Sequence, residues 1–392
     1  MTYLIREDLQ PLIKQTIKKD YPKDSLNAGL LIQRGLIAWA DDDKEKKIKK
    51  ELIDTITSIK PSELYQLAFD RWLLQTQQKD NFAVVPATID GRLMTGLALG
   101  GTLETGVTTQ HSYGMPMLAG SSVKGAVRAY AESLFSKKDA DGKVILDEKG
   151  KTQIDNAMKP ILATLFGADE DAEQANAGYL VWHDAWFIPA LTKDGKYSTA
   201  EEAKPFVSDI VTVHHQKYYA GQLYEALDME SPIPNQQLAV QGSFYFVIEG
   251  ANKQWLAFAK QLLENMLNEF GMGAKGTSGY GYFRTTGTLQ TFTTSLKKRL
   301  VSLQSESVQD SNDPYAKLGL HISSMTEQDL IESLSKNLNK FLKSFDLVRE
   351  NEEHCKAVAA ITLAEHETVV KGWVGQSGNK EKAFKFVNKY KF

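Results

Sequence analysis

The chain has 392 residues, 46 Lys and Arg against 49 Asp and Glu, 42% apolar residues and one cysteine, Cys355. That length allows two or three domains, and a single cysteine excludes a disulfide framework or a thiolate zinc site while suiting a reducing cytoplasm. A formal net charge of −3 excludes a uniformly basic nucleic-acid coat but leaves room for a basic groove on a neutral body, because the local field matters more than the total.

Residues 1–80 read as helices packed on a core. Leu4, Ile5, Leu9, Leu12, Ile13 and Ile17 share one helical face, and a second stripe runs through Leu64, Leu67, Trp72 and Leu73. The start mixes acids and bases, unlike a signal peptide. The run from Asp41 to Lys50 mixes signs and reads as a solvated helix face rather than a nucleic-acid tail. No stretch of about eighteen uncharged apolar residues offers a membrane span.

From Asn81 glycine becomes frequent and short apolar runs replace helical periodicity. GYLVWHDAWFIP (Gly178 to Pro189) is apolar on both faces, as a doubly covered strand requires. Leu238 to Gly250 alternates, with Leu238, Val240, Gly242, Phe244, Phe246 and Ile248 on one side. An amphipathic helix follows through Trp255, Phe258, Ala259, Leu262, Leu263, Met266 and Phe270, then a glycine-rich stretch and an aromatic strand, Tyr280 to Arg284. Strand, helix, glycine loop and strand form one half of a ferredoxin-like unit, so the expected fold is α+β. Residues 81–295 form its core, 296–322 a linker and 323–392 a helical extension.

Ser136 to Asp155 predicts a protruding hairpin and Thr192 to Lys204 a polar loop. In the extension a helix is expected from Ser324 to Phe345, with Ser324 and Glu327 as a capping box and Leu330, Leu334, Leu338, Phe341 and Phe345 as its stripe. The tail KEKAFKFVNKYKF is basic and aromatic.

Two segments carry the chemistry. In GMPMLAGSSVKGAVRAYAESLF (Gly114 to Phe135), Ser121 or Ser122 reads as an N-cap, with Val123, Val127, Tyr130, Ala131 and Leu134 buried. Lys124 in the first turn opposes the helix dipole, and Gly125 inside the helix costs about 1 kcal/mol relative to Ala. Both make sense if a phosphate lies at this helix start, with Arg128 one turn on reaching the next; the alternative is a capped core helix with two solvated cations. In GMGAKGTSGYGYFR, Gly271, Gly273, Gly276, Gly279 and Gly281 permit positive φ and close backbone approach. Lys275 supplies charge, Thr277 and Ser278 hydroxyls, and Tyr280 and Tyr282 stacking faces. A plain helix C-cap and tight turn is the alternative here. Neither segment is a Walker or Rossmann motif.

Together the segments resemble the RAMP superfamily of CRISPR ribonucleoproteins. LETGVTTQHSYGMPMLAGSSVKGAVRAY (Leu103 to Tyr130) is similar to an E-T-G segment, a Y-G-x-P and G-S-S-x-K-G-x-x-R in that family's order. LFG (Leu165 to Gly167), His183-Asp184-Ala185, DIVTVHHQKYY (Asp209 to Tyr219), SPIP (Ser231 to Pro234) and GMGAKGTSGYG follow. That order is similar to the sixth-subunit family of the type III-B (Cmr) effector complex and covers roughly Asn27 to Phe292. Met115, Leu118 and Ala119 depart from the Pro-Tyr-Ile-Pro-like residues usual before Gly-Ser-Ser, and Gly276 from a common Thr. The resemblance implies a Cas7-like, RRM-related subunit that caps the backbone filament and holds the 3′ part of the crRNA. Its expected partners are that guide, the guide–target RNA duplex, the Cas7-like backbone, the small helical subunit and another RAMP cap subunit.

No catalytic residue, metal or cofactor is expected. His183 and Asp184 alternate sides of a strand and so cannot cooperate as direct neighbours. His214 and His215, beside Lys217, fit an interface, an RNA contact or, in a competing reading, a metal-independent RNA-processing endonuclease. A pure protein scaffold is the third reading. Asp90, Glu104 and Asp209 read as isolated acids, with Glu104 placed to orient the helix that begins near Ser121.

Overall fold

Two units make up the chain in its computed structural model, Met1–Lys297 and Lys298–Phe392. The described residues are 2–18, 21–23, 25–39, 43–77, 80–97, 103–148, 150–168, 176–200, 203–213, 216–225, 233–285, 294–303 and 314–391. The first unit begins with β1 (Thr2–Tyr3), α1 (Gln10–Thr16), α2 (Ala28–Arg34), β2 (Ala38–Trp39), α3 (Asp43–Thr57) and α4 (Glu63–Gln77). It continues with β3 (Phe82–Asp90), β4 (Met117–Leu118), α5 (Gly120–Leu134), α6 (Lys159–Phe166), β5 (Val181–Trp182), β6 (Ala185–Ile188), β7 (Phe206–Val213), α7 (Gln216–Tyr219), β8 (Ile233–Val240), β9 (Ser243–Glu249), α8 (Lys253–Glu269) and β10 (Tyr282–Arg284).

The main sheet runs β10-β3-β9-β6-β4, with β5 also on β9, and every pairing is antiparallel. Read along the chain, β3, α5, β6, β9, α8 and β10 give β-α-β-β-α-β, with first and third strands central and the fourth outside the first. That is the ferredoxin-like order.

The sequence of β9 explains the layers. Phe244 to Ile248 are all buried, so both faces of the strand must be covered. One face presents Tyr245, which meets Phe69 of α4 at 5.8 Å between rings, while Trp186 beside it stacks at 6.0 Å on Tyr65. The opposite face presents Phe244 and Phe246 against Phe283 of β10, and α8 packs across β3, β9 and β10. The amino-terminal helices join the same core, through Leu52, Ile53, Ile56 and Ile59 of 43–60 and Tyr65 of α4.

The alternating run from Leu238 to Ile248 is not one strand. It breaks at Gly242, φ +103, where a Cβ would meet the Phe187 ring at 2.8 Å. Leu238 and Val240 therefore belong to a separate hairpin, β7–β8, paired from Phe206↔Val240 to Val213↔Ile233. Its roots are fixed by α3 packing on β7 and by the Leu238 N–H donating to Thr105 Oγ1 at 2.9 Å.

Helix α4 turns differently from its leucine spacing. Tyr65, Phe69, Leu73 and Thr76 are buried, whereas Leu64 and Leu67 are 65% and 58% exposed. Polar anchors decide the rotation: the Tyr65 hydroxyl donates to the Phe187 carbonyl at 2.6 Å, and Thr76 meets the Tyr245 hydroxyl at 2.8 Å. The amino-terminal stripe likewise stays largely outside, with Leu9 and Leu12 exposed and α1 only seven residues long.

Residues 136–155 form the expected projection, bridged at Ser136–Ile154, Lys138–Val144 and Leu146–Thr152. The Asp139 and Asp147 carboxylates each accept an N–H four residues on, at 2.8 Å, closing its turns. The polar loop from Thr192 docks through Tyr197, whose hydroxyl donates to Asp70 of α4.

The second unit comprises α9 (Pro314–Ser324), α10 (Glu327–Ser335), α11 (Leu338–Lys343), α12 (Glu352–Lys371) and α13 (Asn379–Tyr390). Helical residues 298–303 and 314–322 thus fall inside the stretch read as a linker. Thr326, not Ser324, caps α10 by accepting the Asp329 N–H at 3.3 Å. The single helix expected over 324–345 stops at Lys336, where the Lys336 and Asn337 N–H groups both turn back to the Glu332 carbonyl. Leu330, Leu334, Leu338 and Phe341 are nonetheless buried, in a core with Cys355 and Trp373.

Tyr65→Phe removes a buried donor from the Phe187 carbonyl and should cost about 1 kcal/mol in chemical denaturation of the full chain. An unchanged midpoint would show that the hydroxyl does not set the rotation of α4.

Candidate nucleic-acid interface

Helix α5 starts on a cap supplied from elsewhere in the chain. Its N-cap is Ala119, which has no side-chain acceptor, and the Gly120 N–H donates to Asp184 Oδ1 at 2.7 Å from the turn between β5 and β6. A carboxylate there meets both the free amide and the positive end of the helix. Ser121 and Ser122 are therefore not caps; they stand exposed in the first turn. Val123, Val127, Tyr130 and Ala131 are buried as expected, while Leu134 is 52% exposed.

Lys124 is tied down. Its ammonium donates to the Ala177 carbonyl at 2.8 Å, which accounts for a cation in the first turn without any ligand; its other two donors have no partner among the described residues. Arg128 donates through Nε to Glu132 at 2.7 Å, one turn on.

The glycines separate into two kinds. At Gly120 a Cβ would collide with the Trp182 carbonyl, and at Gly114 with Asn27, the side chain that caps α2. Gly271 and Gly281 lie back to back, Met272 N–H donating to the Gly281 carbonyl at 2.8 Å, and Gly273 lies against Met94. These five are required by backbones that touch. Around Gly125 and Gly276 a Cβ would meet nothing within 4 Å, and neither has a positive φ. Neither packing nor local conformation asks for glycine at those two positions.

The tip of the loop is open as well. Lys275, Thr277 and Ser278 are exposed. Lys275 adopts φ +62, a left-handed conformation that costs a non-glycine residue about 1–2 kcal/mol, and its ammonium forms no hydrogen bond or ion pair with the described residues. Tyr280 is committed instead to the hairpin: its hydroxyl donates to Asp209 Oδ2 at 3.1 Å. Burial, then that carboxylate, raises the phenol above its ordinary pKa. Its ring is half-buried and not a free stacking face.

Beside the loop, at the root of the β7–β8 hairpin, lies a polar groove of about 790 Å³ lined by Gly91, Arg92, Lys204, Ser208 and Gln241 among others. The Gly281 N–H donates to the Arg92 carbonyl at 2.8 Å, so groove and loop share a wall. The Arg92 guanidinium donates to Gln241 at 2.9 Å and keeps further N–H groups. Arg92 was not singled out from the sequence; the available signal was Gly-Arg directly after a strand end.

The start of α5 and the glycine loop are not one site by contact. The first meets the β5–β6 turn, the second the end of β3 and the start of β10. Three strand spacings, about 14 Å, separate β6 from β10 across the sheet. A ligand touching both must be extended.

The isolated acids and His183 hold the fold. His183 Nε2 lies 2.9 Å from Glu249, Asp90 pairs with Arg284 at 2.8 Å, and Asp184 caps α5. Glu104 pairs with Lys49 at 3.3 Å and its φ is +56; Asp184, not Glu104, orients α5. His214 and His215 lie outside the described residues, as does the side chain of Lys217 in α7.

A model of the RAMP superfamily matches residues 88–284, from the end of β3 through β10 and so half of the chain. The chain belongs to the RAMP superfamily. The matched span holds α5, the hairpin and the glycine loop together, the RAMP part of a longer chain. No curated protein matches it. Among solved structures this RAMP chain is similar to a chain of a type III-B Cmr-beta complex bound to cognate target RNA, with 17% identity over 71% of this chain and 87% of that one and a TM-score of 0.43. It is also similar to Cmr6 from Pyrococcus furiosus, with 20% identity, 52% and 98% coverage and a TM-score of 0.29. A chain of a CRISPR RNA-guided surveillance complex gives 13% identity, 59% and 85% coverage and a TM-score of 0.32. No helix among the described residues is long and apolar enough to cross a membrane.

Gly125→Ala should stabilise the free chain by about 1 kcal/mol, because an exposed helical glycine is replaced by the best helix former. Gly120→Ala should destabilise it by about 1–3 kcal/mol through the collision with Trp182. Parallel denaturation curves check both; equal losses would mean the two glycines are alike.

Proposed function

We propose that this RAMP chain is a non-catalytic guide-RNA-binding and assembly subunit of a type III-B CRISPR (Cmr) effector complex. It would act in the cytoplasm, capping the backbone and holding the 3′ part of the crRNA beside the target duplex. The observation that carries the reading is stability given up at the surface with no return in folding. Gly125 forgoes about 1 kcal/mol and Lys275 about 1–2 kcal/mol, and both positions are open to solvent. Strain and bare backbone at an exposed cation fit a phosphate chain that must come close.

The polar groove beside the loop adds Arg92 and Lys204 at the hairpin root. Grip through phosphates and shape leaves sequence reading to base pairing, as in other RNA-guided systems. Leu64 and Leu67, exposed at i and i+3 on α4, give an apolar face suited to a neighbouring subunit. The acids and His183 are occupied in pairs and caps, which favours a binding role over hydrolysis.

Lys275→Ala combined with Arg92→Gln should weaken guide-RNA binding and flatten the dependence of log K on log salt by about 0.7 for each phosphate that the protein no longer neutralises. Titrating labelled guide RNA at several salt concentrations checks this. Unchanged affinity and slope would contradict the reading, and cutting of precursor RNA that His214→Ala abolishes would install the endonuclease in its place.

A further inference from the structure

The second unit carries a groove of its own, about 580 Å³, between the end of α10, the start of α11, Arg349 and residues 382–390 of α13. Six cations line it: Lys336, Lys340, Arg349, Lys382, Lys385 and Lys389. No carboxylate does. Lys385 is paired with Glu381 at 2.6 Å, and the Lys389 ammonium lies 4.7 Å from the Tyr390 ring centroid. Lys336, Lys340, Arg349 and Lys382 form no ion pair among the described residues.

Three lysines outside the groove are paired instead. Lys356 is flanked by Glu352 and Glu353, Lys371 by Glu367, and Lys380 reaches Glu327 at 2.8 Å. Crowding unpaired like charges into one concavity opposes folding, and a polyanion relieves it.

One further feature points to a strand rather than a lone anion. Phe386 and Tyr390, one turn apart on α13, meet at 5.2 Å between ring centroids and are half-buried, presenting aromatic surface between the lysines. Cationic rims around an aromatic surface are the arrangement that holds single strands, phosphates on the rims and bases on the rings.

We propose that this groove binds a single strand of nucleic acid, making the second unit a nucleic-acid contact in its own right, separate from the loops of the first unit. Cations and aromatic faces act on phosphates and bases, which RNA and DNA strands share, so that shared chemistry defines the ligand.

The test uses the full chain and Lys336→Glu/Lys340→Glu/Lys382→Glu, three exposed positions, with melting curves to check folding. Fluorescent 15-nucleotide RNA and DNA of one sequence are titrated over a salt series, and ultraviolet crosslinks are mapped to peptides. Crosslinks within 378–391 are expected, absent from the triple variant while those at 271–281 persist, with the salt slope lower by about 2. A neutral Lys336→Gln/Lys340→Gln/Lys382→Gln variant should show a smaller loss of the same crosslinks. The RNA and DNA arms identify which strand is taken, and binding in either supports the proposal. Absent crosslinks at 378–391, crosslinks that survive the charge reversal, or polyglutamate displacing the strand as well as unlabelled RNA does would overturn it. Failure of the first-unit proposal would show separately, as missing crosslinks at 271–281.

Discussion

A strand that is apolar on both faces has to be covered on both faces, and β9 is such a strand. From that constraint the layers follow. α4 takes the Tyr245 face through ring contacts and two hydroxyl bonds, and α8 lies across the opposite face. Once both faces are closed, only strand ends and sheet edges remain for binding. The glycine loop and the hairpin root lie at the end of β3, and the start of α5 lies by the far edge of the sheet. The ferredoxin-like order thus places the candidate surface before any side chain does.

Glycine in a motif has two physical meanings, and the structure divides them. Gly114, Gly120, Gly271, Gly273 and Gly281 let backbones touch, so they belong to folding. Gly125 and Gly276 have open space and ordinary φ, so folding of the free chain does not require glycine there. The same division applies to cations. Lys124 and Arg128 are engaged with Ala177 and Glu132, while Lys275 projects from a strained residue into solvent. The emphasis moves from the start of α5 to the loop tip and its neighbour Arg92.

Much of the fold was legible because periodicity and glycine placement are local signals. The amphipathic α8, the loop between α8 and β10, and the projection at 136–155 could all be read in this way, whereas 238–250 read as an alternating strand and β9 is buried on both faces. Contacts between distant segments could not. The cap of α5 comes from Asp184, sixty-four residues downstream of Gly120, so nearby serines looked like the natural choice. Leu64 and Leu67 matched a helical stripe as well as Tyr65 and Phe69 do, and it is the ring contacts of Tyr65 and Phe69 with the hydroxyl partners of Tyr65 and Thr76 that distinguish the faces. Alternation across Gly242 hid a change of sheet, because parity continues through a break it cannot register. Tyr280 looked free until Asp209 on the hairpin was placed beside it.

The central claim is that RNA lies against the exposed glycine and lysine positions of the first unit. Hydrogen–deuterium exchange of the full chain with and without guide RNA tests it most directly. Slower exchange confined to the backbone around Lys275–Gly279 and the first two turns of α5 is the result this account predicts. Exchange unchanged at both, with protection appearing only on surfaces remote from them, would contradict it.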